Sequence, residues 1–237
     1  MRTFAIFFAV LLGAVPVASA DITYQVSVNT SSISGTTGSL AFQFNPGPLV
    51  TQSASLRILN FRSDGTLAGA CPCSTGDGSG QLPATLTFDN GTAFNDYFDS
   101  FKFGTTISFD VSLYGPALST PDGVSTSGSS FVFSMFSDLA GTVPVLTSDT
   151  THGFALRVDA NLGGTTTVTD SSPGAAVTNP CDIKQNGSIN VADVQLIVNQ
   201  ALGVAAAVND LNGDGLVNVV DVQIEIGAAL ALGCASQ

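Results

Sequence analysis

The sequence predicts a mainly β protein: an antiparallel β-sandwich followed by a small helical module built on a duplicated, oxygen-rich loop. Three observations carry this expectation. Apolar and polar residues alternate with period two from Ile22 to about Thr169. Turn chemistry interrupts that alternation at intervals. From Asp182 onward the period changes, and one twelve-residue pattern occurs twice.

Residues 1–20 have the layout of a secretory leader. Arg2 gives the positive end, residues 4–15 are apolar, and Ala18, Ser19 and Ala20 form a small-residue cleavage site. The mature chain is then expected to start at Asp21. The apolar stretch is too short for a transmembrane helix, so no membrane span is expected once the leader is removed. Export also suits the four cysteines, which an oxidising compartment would pair.

The sandwich is expected over residues 21–169. Ile22, Tyr24, Val26 and Val28 alternate with polar residues, as do Leu40, Phe42 and Phe44. Leu82, Ala84, Leu86 and Phe88 form a third run. Ile107, Phe109, Val111 and Leu113 form the clearest one. Phe131, Phe133 and Met135, then Phe154, Leu156 and Val158, complete the set. Such runs put one face in a core and leave the other wet, as antiparallel sheets allow. Asn45-Pro46-Gly47-Pro48, Asp89-Asn90-Gly91, Pro121-Asp122-Gly123 and Gly163-Gly164 supply turns between them. Many short strands rich in Phe imply two sheets meeting over a shared core. Jelly-roll and immunoglobulin-like strand orders both satisfy this pattern. Residues 170–180 carry two prolines and no periodicity, and read as a linker.

Residues 181–237 are the expected module. In the first copy Asp182, Asn186, Asn190 and Asp193 hold positions 1, 5, 9 and 12 of a loop, with Gly187 at 6 and Ser188 at 7. In the second, Asp210, Asn212, Asp214, Asn218 and Asp221 hold positions 1, 3, 5, 9 and 12, with Gly215 at 6 and Leu216 at 7. This is the ligand order of a calcium loop of the EF-hand type. A hard cation needs six to eight oxygens, the Gly permits the sharp turn, and position 7 offers its backbone carbonyl. Two Ca2+ sites are expected. The second is the stronger, because the first has Lys184 at position 3, a positive charge and no acceptor. A helix follows each loop, with Val194, Ile197, Val198 and Ala201 on one face of the first and Val222, Ile226, Ala229 and Leu230 on one face of the second. Cys181 and Cys234 bracket the module, and a bridge between them would clasp a fold too small to hold itself together by core burial.

The duplicated loops, the helix after each and the short connector 203–209 resemble the dockerin family, over roughly the last quarter of the chain. That resemblance implies a cohesin-like partner domain, docked on the helices. Val191, Ala192, Val219 and Val220 hold positions through which many dockerins contact cohesin; they are apolar here, where those are polar. The sandwich has a second resemblance. Residues 22–28, 41–48 and 86–103 are similar to exported bacterial proteins that end in a PEP-CTERM sorting signal. This chain shows no Pro-Glu-Pro, membrane stretch or basic tail, and the resemblance implies a secreted, extracellular or cell-surface location in a bacterium, with no activity attached.

Composition narrows the function classes. Asp and Glu number 18 against 6 Lys and Arg, a net charge of −12, which argues against nucleic acid as a partner. Dockerins often accompany polysaccharide-active hydrolases, and glycosidases need two carboxyl groups flanking the bond. The only Glu is Glu225, on the second module helix. Asp89, Asp96, Asp99, Asp110 and Asp159 sit in turn-like or alternating polar contexts. His152 is the only histidine and no Gly-x-Ser-x-Gly elbow flags a nucleophile, so no catalytic residue is assigned. One His leaves little for zinc. Cys71-Pro72-Cys73 reads as a local disulfide in a Gly-rich loop, with a soft-metal site as the alternative. A glycan is the rival ligand: Tyr97, beside Asn95, Asp96 and Phe98, could line a sugar-contacting loop, although the chain has no Trp. The expectation is a secreted, non-catalytic sandwich that docks through a calcium-stabilised module. The alternative is a polysaccharide-active hydrolase, or a carbohydrate-binding accessory, carrying the same module.

Overall fold

The computed structural model describes residues 21–69, 73–186, 188–230 and 234. The expected leader, Cys71 and Gly187 lie outside the described residues. Among the described residues, thirteen strands precede the two module helices. They are β1 (Ile22–Asn29), β2 (Thr37–Pro46), β3 (Ser55–Ser63), β4 (Thr66–Leu67), β5 (Ser74–Thr75), β6 (Gly78–Gly80) and β7 (Leu86–Asp89). Then come β8 (Asp96–Lys102), β9 (Thr106–Tyr114), β10 (Ser129–Phe136), β11 (Leu156–Ala160), β12 (Thr166–Asp170) and β13 (Ala175–Thr178). A single turn of helix, α1 (Pro116–Ser119), follows β9, and α2 (Val191–Ala201) and α3 (Val219–Ala229) close the chain.

The strands form two antiparallel sheets. One runs β13-β1-β9-β3-β7-β6, and the other β12-β11-β10-β2-β8-β4, with β5 also on β8. Only β6–β7, β10–β11 and β11–β12 are neighbours in both sequence and sheet. The remaining pairings cross between distant segments, which local periodicity does not encode.

The inward faces of both sheets meet in one core. Phe42 of β2 is its centre, with ring centroids 4.8 Å from Phe133 of β10 and 5.2 Å from Phe109 of the opposite sheet. Val26, Val28, Leu56, Ile58, Val111, Leu113, Phe131 and Val158 are buried around it. In the period-two runs of β1, β2, β9, β10 and β11 the apolar residues that alternation turns inward are buried, except Ile22 and Tyr24, which are half-buried, and Phe154, which lies before β11 and is half-buried.

Four features differ from the sequence reading. The run at Leu82 becomes a strand only from Leu86, although Leu82 is buried and its amide donates to the Tyr97 hydroxyl at 3.2 Å. β3 has no steady alternation. Leu56 and Ile58 face inward, then the register with β9 shifts between Leu59 and Arg62, with Asn60 at φ 53°. That bulge brings Phe61 into the core and breaks the period. β8 hides its period because Asp99 takes an inward position between Tyr97 and Phe101. The Tyr97 hydroxyl donates to Asp99 at 3.2 Å, which lets a carboxylate sit there.

The fourth difference concerns the linker. Residues 170–180 are not a free tether: β13 pairs with β1 along Gln25–Thr178 to Val28–Ala175, as the edge strand of its sheet. Only Asn179 and Pro180 separate that strand from Cys181.

Candidate metal centre

Both loops are closed by the Asp at position 12, and the closure begins with helix capping. Asn190 is the N-cap of α2. Its side chain accepts from the Ala192 amide at 2.9 Å, and Asp193 accepts from the Asn190 amide at 3.1 Å. Asn218, Val220 and Asp221 repeat this at α3, at 2.8 Å and 2.8 Å. Such a capping box satisfies amides that a helix start leaves without partners. Loop positions 9 and 12 are thus also helix positions Ncap and N3.

The same carboxylates reach back across their loops. Asp193 accepts from the Lys184 amide at 3.0 Å. Asp221 accepts from Leu211 at 2.8 Å and Asn212 at 3.2 Å. Each therefore ties the loop's start to its end. Both are completely buried, which a carboxylate tolerates only when hydrogen-bonded or charge-paired.

Position 1 gathers the middle of each loop. Asp210 accepts from the amides of Asp214 at 3.2 Å and Gly215 at 2.6 Å. Gly215 holds φ 87°, a backbone conformation that favours glycine. Asp214 accepts from the Leu216 amide and from the Asn212 side chain, both at 2.9 Å. These donors hold its carboxyl below the ordinary Asp range, the Asn212 bond acting most strongly. In the first loop Asp182 accepts from the Asn186 amide, and Asn186 from the Ser188 amide, each at 3.0 Å. Asn190 donates to the Ser188 carbonyl at 3.2 Å. Lys184 is exposed.

The oxygens of Asp182, Asn186, Asn190 and Asp193, and of Asp210, Asn212, Asp214, Asn218 and Asp221, are therefore gathered within their two loops. This donor set suits a hard cation of the calcium type, all oxygen and mostly anionic. Ser188 and Leu216 would add carbonyls. The carboxylates alone do not form a cage: among the described residues no three Asp, Glu, His or Cys side chains converge as a metal group. Amide and carbonyl oxygens would have to complete each shell, with Asn212 and Asn218 turning amides that now donate to Asp214.

One buried carboxylate lies outside both expected ligand sets. Glu225 on α3 is 0 % exposed, and neither carboxyl oxygen has a hydrogen-bond partner. Burial, and then the charges of Asp193 and Asp182, push its pKa up to about 7. Its signal in the sequence was a charged residue at a place where the first copy has Ile197. The buried residues of α3 are Asp221, Glu225 and Ala228, whereas Ile226 and Leu230 of the expected apolar face are exposed.

Around these groups the module core is small: Cys181, Ile197, Leu211, Ala228 and Cys234. The expected disulfide joins Cys181 to Cys234, with Cα atoms 5.9 Å apart. Gln200, buried at the end of α2, accepts from the Val208 and Asn209 amides at 3.0 Å and donates to the Asn209 side chain at 2.8 Å, which fixes the connector. Val191 is 78 % exposed and Val219 66 %; Val220 is also exposed and Ala192 half-buried. The four positions matched to docking residues thus lie at the helix starts, beside the loops.

The sandwich residues considered for other chemistry serve the fold. Tyr97 is fully buried and touches Phe42, so it does not line an open sugar-contacting loop. Burial pushes its pKa up to about 12. Asp110 accepts from Asn60, and Asp159 from Arg157 and Ser130. Asp149 caps the turn before His152 by accepting from the Thr151 and His152 amides, and the His152 ring stacks on Phe154. A cleft of about 260 Å3 between Thr51, Ser127 and Asn161 carries one carboxylate, Asp122, among its described lining residues. Asp122 accepts from the Val124 and Ser125 amides. Cys73 is disulfide-bonded, and the pairing expected with Cys71 falls outside the described residues.

No protein-family model, curated protein or solved structure matches the chain.

Proposed function

We propose that this chain is an exported, non-catalytic β-sandwich protein that docks to a cohesin-like domain through a calcium-stabilised, dockerin-like module. One observation carries the reading. Two loops with the same spacing of oxygens are each closed by a fully buried Asp, at the start of a helix that presents exposed valines. Calcium would neutralise the gathered carboxylates and complete loops that two hydrogen-bonded Asp residues already shape. Binding and folding are then coupled, because the ligands come together only when the helices are in place. Val191, Ala192, Val219 and Val220 offer an apolar surface to the partner, so its matching patch would be apolar rather than polar. Location at the bacterial cell surface or outside the cell follows from the expected leader and the docking role.

The test is a calcium titration of the full chain against its Asp210→Ala/Asp214→Ala variant, followed by circular dichroism, with an immobilised cohesin domain as the binding arm. The wild type is expected to gain helix and to be retained by cohesin only with calcium. The variant loses the larger part of the gain. An unchanged titration in the variant would refute the ligand assignment. Retention in excess chelator would refute calcium-dependent docking.

A further inference from the structure

The outer face of the sheet that holds β1, β9 and β3 carries groups the fold does not use. The register shift in β3 turns Phe61 into the core and leaves Asn60 and Arg62 exposed. Asn60 holds φ 53°, which is uncommon for a residue with a side chain. Bulges of this kind re-aim side chains and recur beside functional sites. Here the Asn60 amide donates to Asp110 of β9 at 2.7 Å. Arg62 stands opposite Ser108 of β9, so Asp110 and Arg62 are diagonal neighbours on one face. They form no ion pair. Arg57 pairs with Asp21 and Arg157 with Asp159, but among the described residues Arg62 makes neither an ion pair nor a side-chain hydrogen bond. In a chain with 18 acidic residues against 6 basic ones, that leaves a guanidinium in reserve. These residues line an open groove of about 530 Å3. Gln25 and Ser27 of β1, opposite Asp110 and Ser108, line it too and are exposed. The groove thus offers a free cation, an amide and two hydroxyls, on strands about 4.8 Å apart. A guanidinium matches a planar carboxylate with two parallel bonds. An amide and hydroxyls match further hydroxyls. A sugar that carries a carboxylate meets both demands.

We infer that this groove binds a uronic acid residue of a polysaccharide, with Arg62 holding the carboxylate and Gln25, Ser27 and Ser108 the hydroxyls. Asn60 engages Asp110, so the anion next to Arg62 is already taken. The net charge of −12 opposes an anionic ligand at long range, but that field is screened beyond about 8 Å at physiological salt. Within that distance the cation in the groove decides. The site lies on the opposite sheet from Tyr97 and makes no use of the calcium loops, so it stands or falls apart from the docking reading.

The test is calorimetry of the full chain with trigalacturonate, in excess chelator so that calcium cannot bridge sugar and protein. The fully methyl-esterified trisaccharide is the matched ligand without charge. Arg62→Gln is compared with Arg157→Gln, which removes the same charge from the other sheet. A hydrogen bond to a charged group accounts for roughly tenfold in affinity. Arg62→Gln is therefore expected to weaken binding at least about tenfold, and the wild type to prefer the acid to the ester by a similar factor. Arg157→Gln is expected to bind as the wild type does. Arg62 is exposed and holds no partner in the fold, so Arg62→Gln is expected to melt with the wild type. Unchanged affinity in Arg62→Gln overturns the inference. So does an equal loss in Arg157→Gln, which would mark general charge attraction. Equal binding of acid and ester, or no binding of the acid by the wild type, overturns it too. None of these results bears on the calcium titration above.

Discussion

Replacing Asp221 with alanine will melt the module while leaving the sandwich folded. Asp221 is completely buried and accepts from three backbone amides, those of Leu211, Asn212 and Asn218. A hydrogen bond to a charged group contributes about 1.5–3 kcal/mol net. The three share one carboxylate and are not additive, so the loss is about 3–5 kcal/mol. Against this stands a module core with five buried apolar residues among those described. The substitution therefore removes most of the stability of α3 and its loop. Asp193→Ala removes bonds to two amides, Lys184 and Asn190, and will cost less. Circular dichroism at the helix band, in excess chelator, reads the loss. Amide exchange reads it residue by residue, with Leu211, Asn212 and Asn218 losing protection first. Asp221→Asn keeps one acceptor oxygen and will fall between wild type and alanine. If those three amides stay protected in Asp221→Ala and the helix band is unchanged, the closing carboxylate does not organise the loop.

Other outcomes follow from the same geometry. Opening the Cys181–Cys234 bridge with a double serine variant frees a segment with a sequence separation of 53, which on chain entropy alone costs about 4 kcal/mol; a lower chelator melting point of the helix signal checks it. Asp96 makes the sandwich pH-sensitive. Burial raises its pKa from 3.8 to about 6, and one of its oxygens has no partner. The unfolded chain releases this proton near pH 4 and the folded chain near pH 6, so stability falls as pH rises through that window. Asp96→Asn will raise the melting point above pH 6 by an amount worth about 1–2 kcal/mol, after allowing for partial exposure, and change nothing at pH 3.5. A gain that is equal at both pH values would refute the assignment.

Strands with an uninterrupted period were legible in the sequence. β1 and β9 alternate, and their inward apolar residues are in the core. β3 and β8 were not, because a bulge at Asn60 and an inward Asp99 each disturb the one signal that periodicity offers. β13 was masked by proline and glycine neighbours, and its pairing with β1 spans most of the sandwich sequence. In the module, the loop positions of Asp, Asn and Gly were legible because the spacing of a wrapped loop is local. Glu225 was not. Its part depends on which helix face turns inward, and α3 turns a face that includes two acidic residues while Ile226 and Leu230 stay out. Tyr97 shows the converse: polar neighbours made a core residue look like a surface one.

The Cys181–Cys234 bond also sets how the module responds to force. A pull applied beyond both cysteines bypasses the loops and helices, passing from sulfur to sulfur. The intervening backbone, about 180 Å if drawn straight, stays slack under that load. A load applied instead at Val191 or Val219 has no such shunt and strains the two Asp-closed loops themselves. Tension across the two cysteines and tension at the helix starts would therefore be borne by different chemistry, one covalent and one hydrogen-bonded.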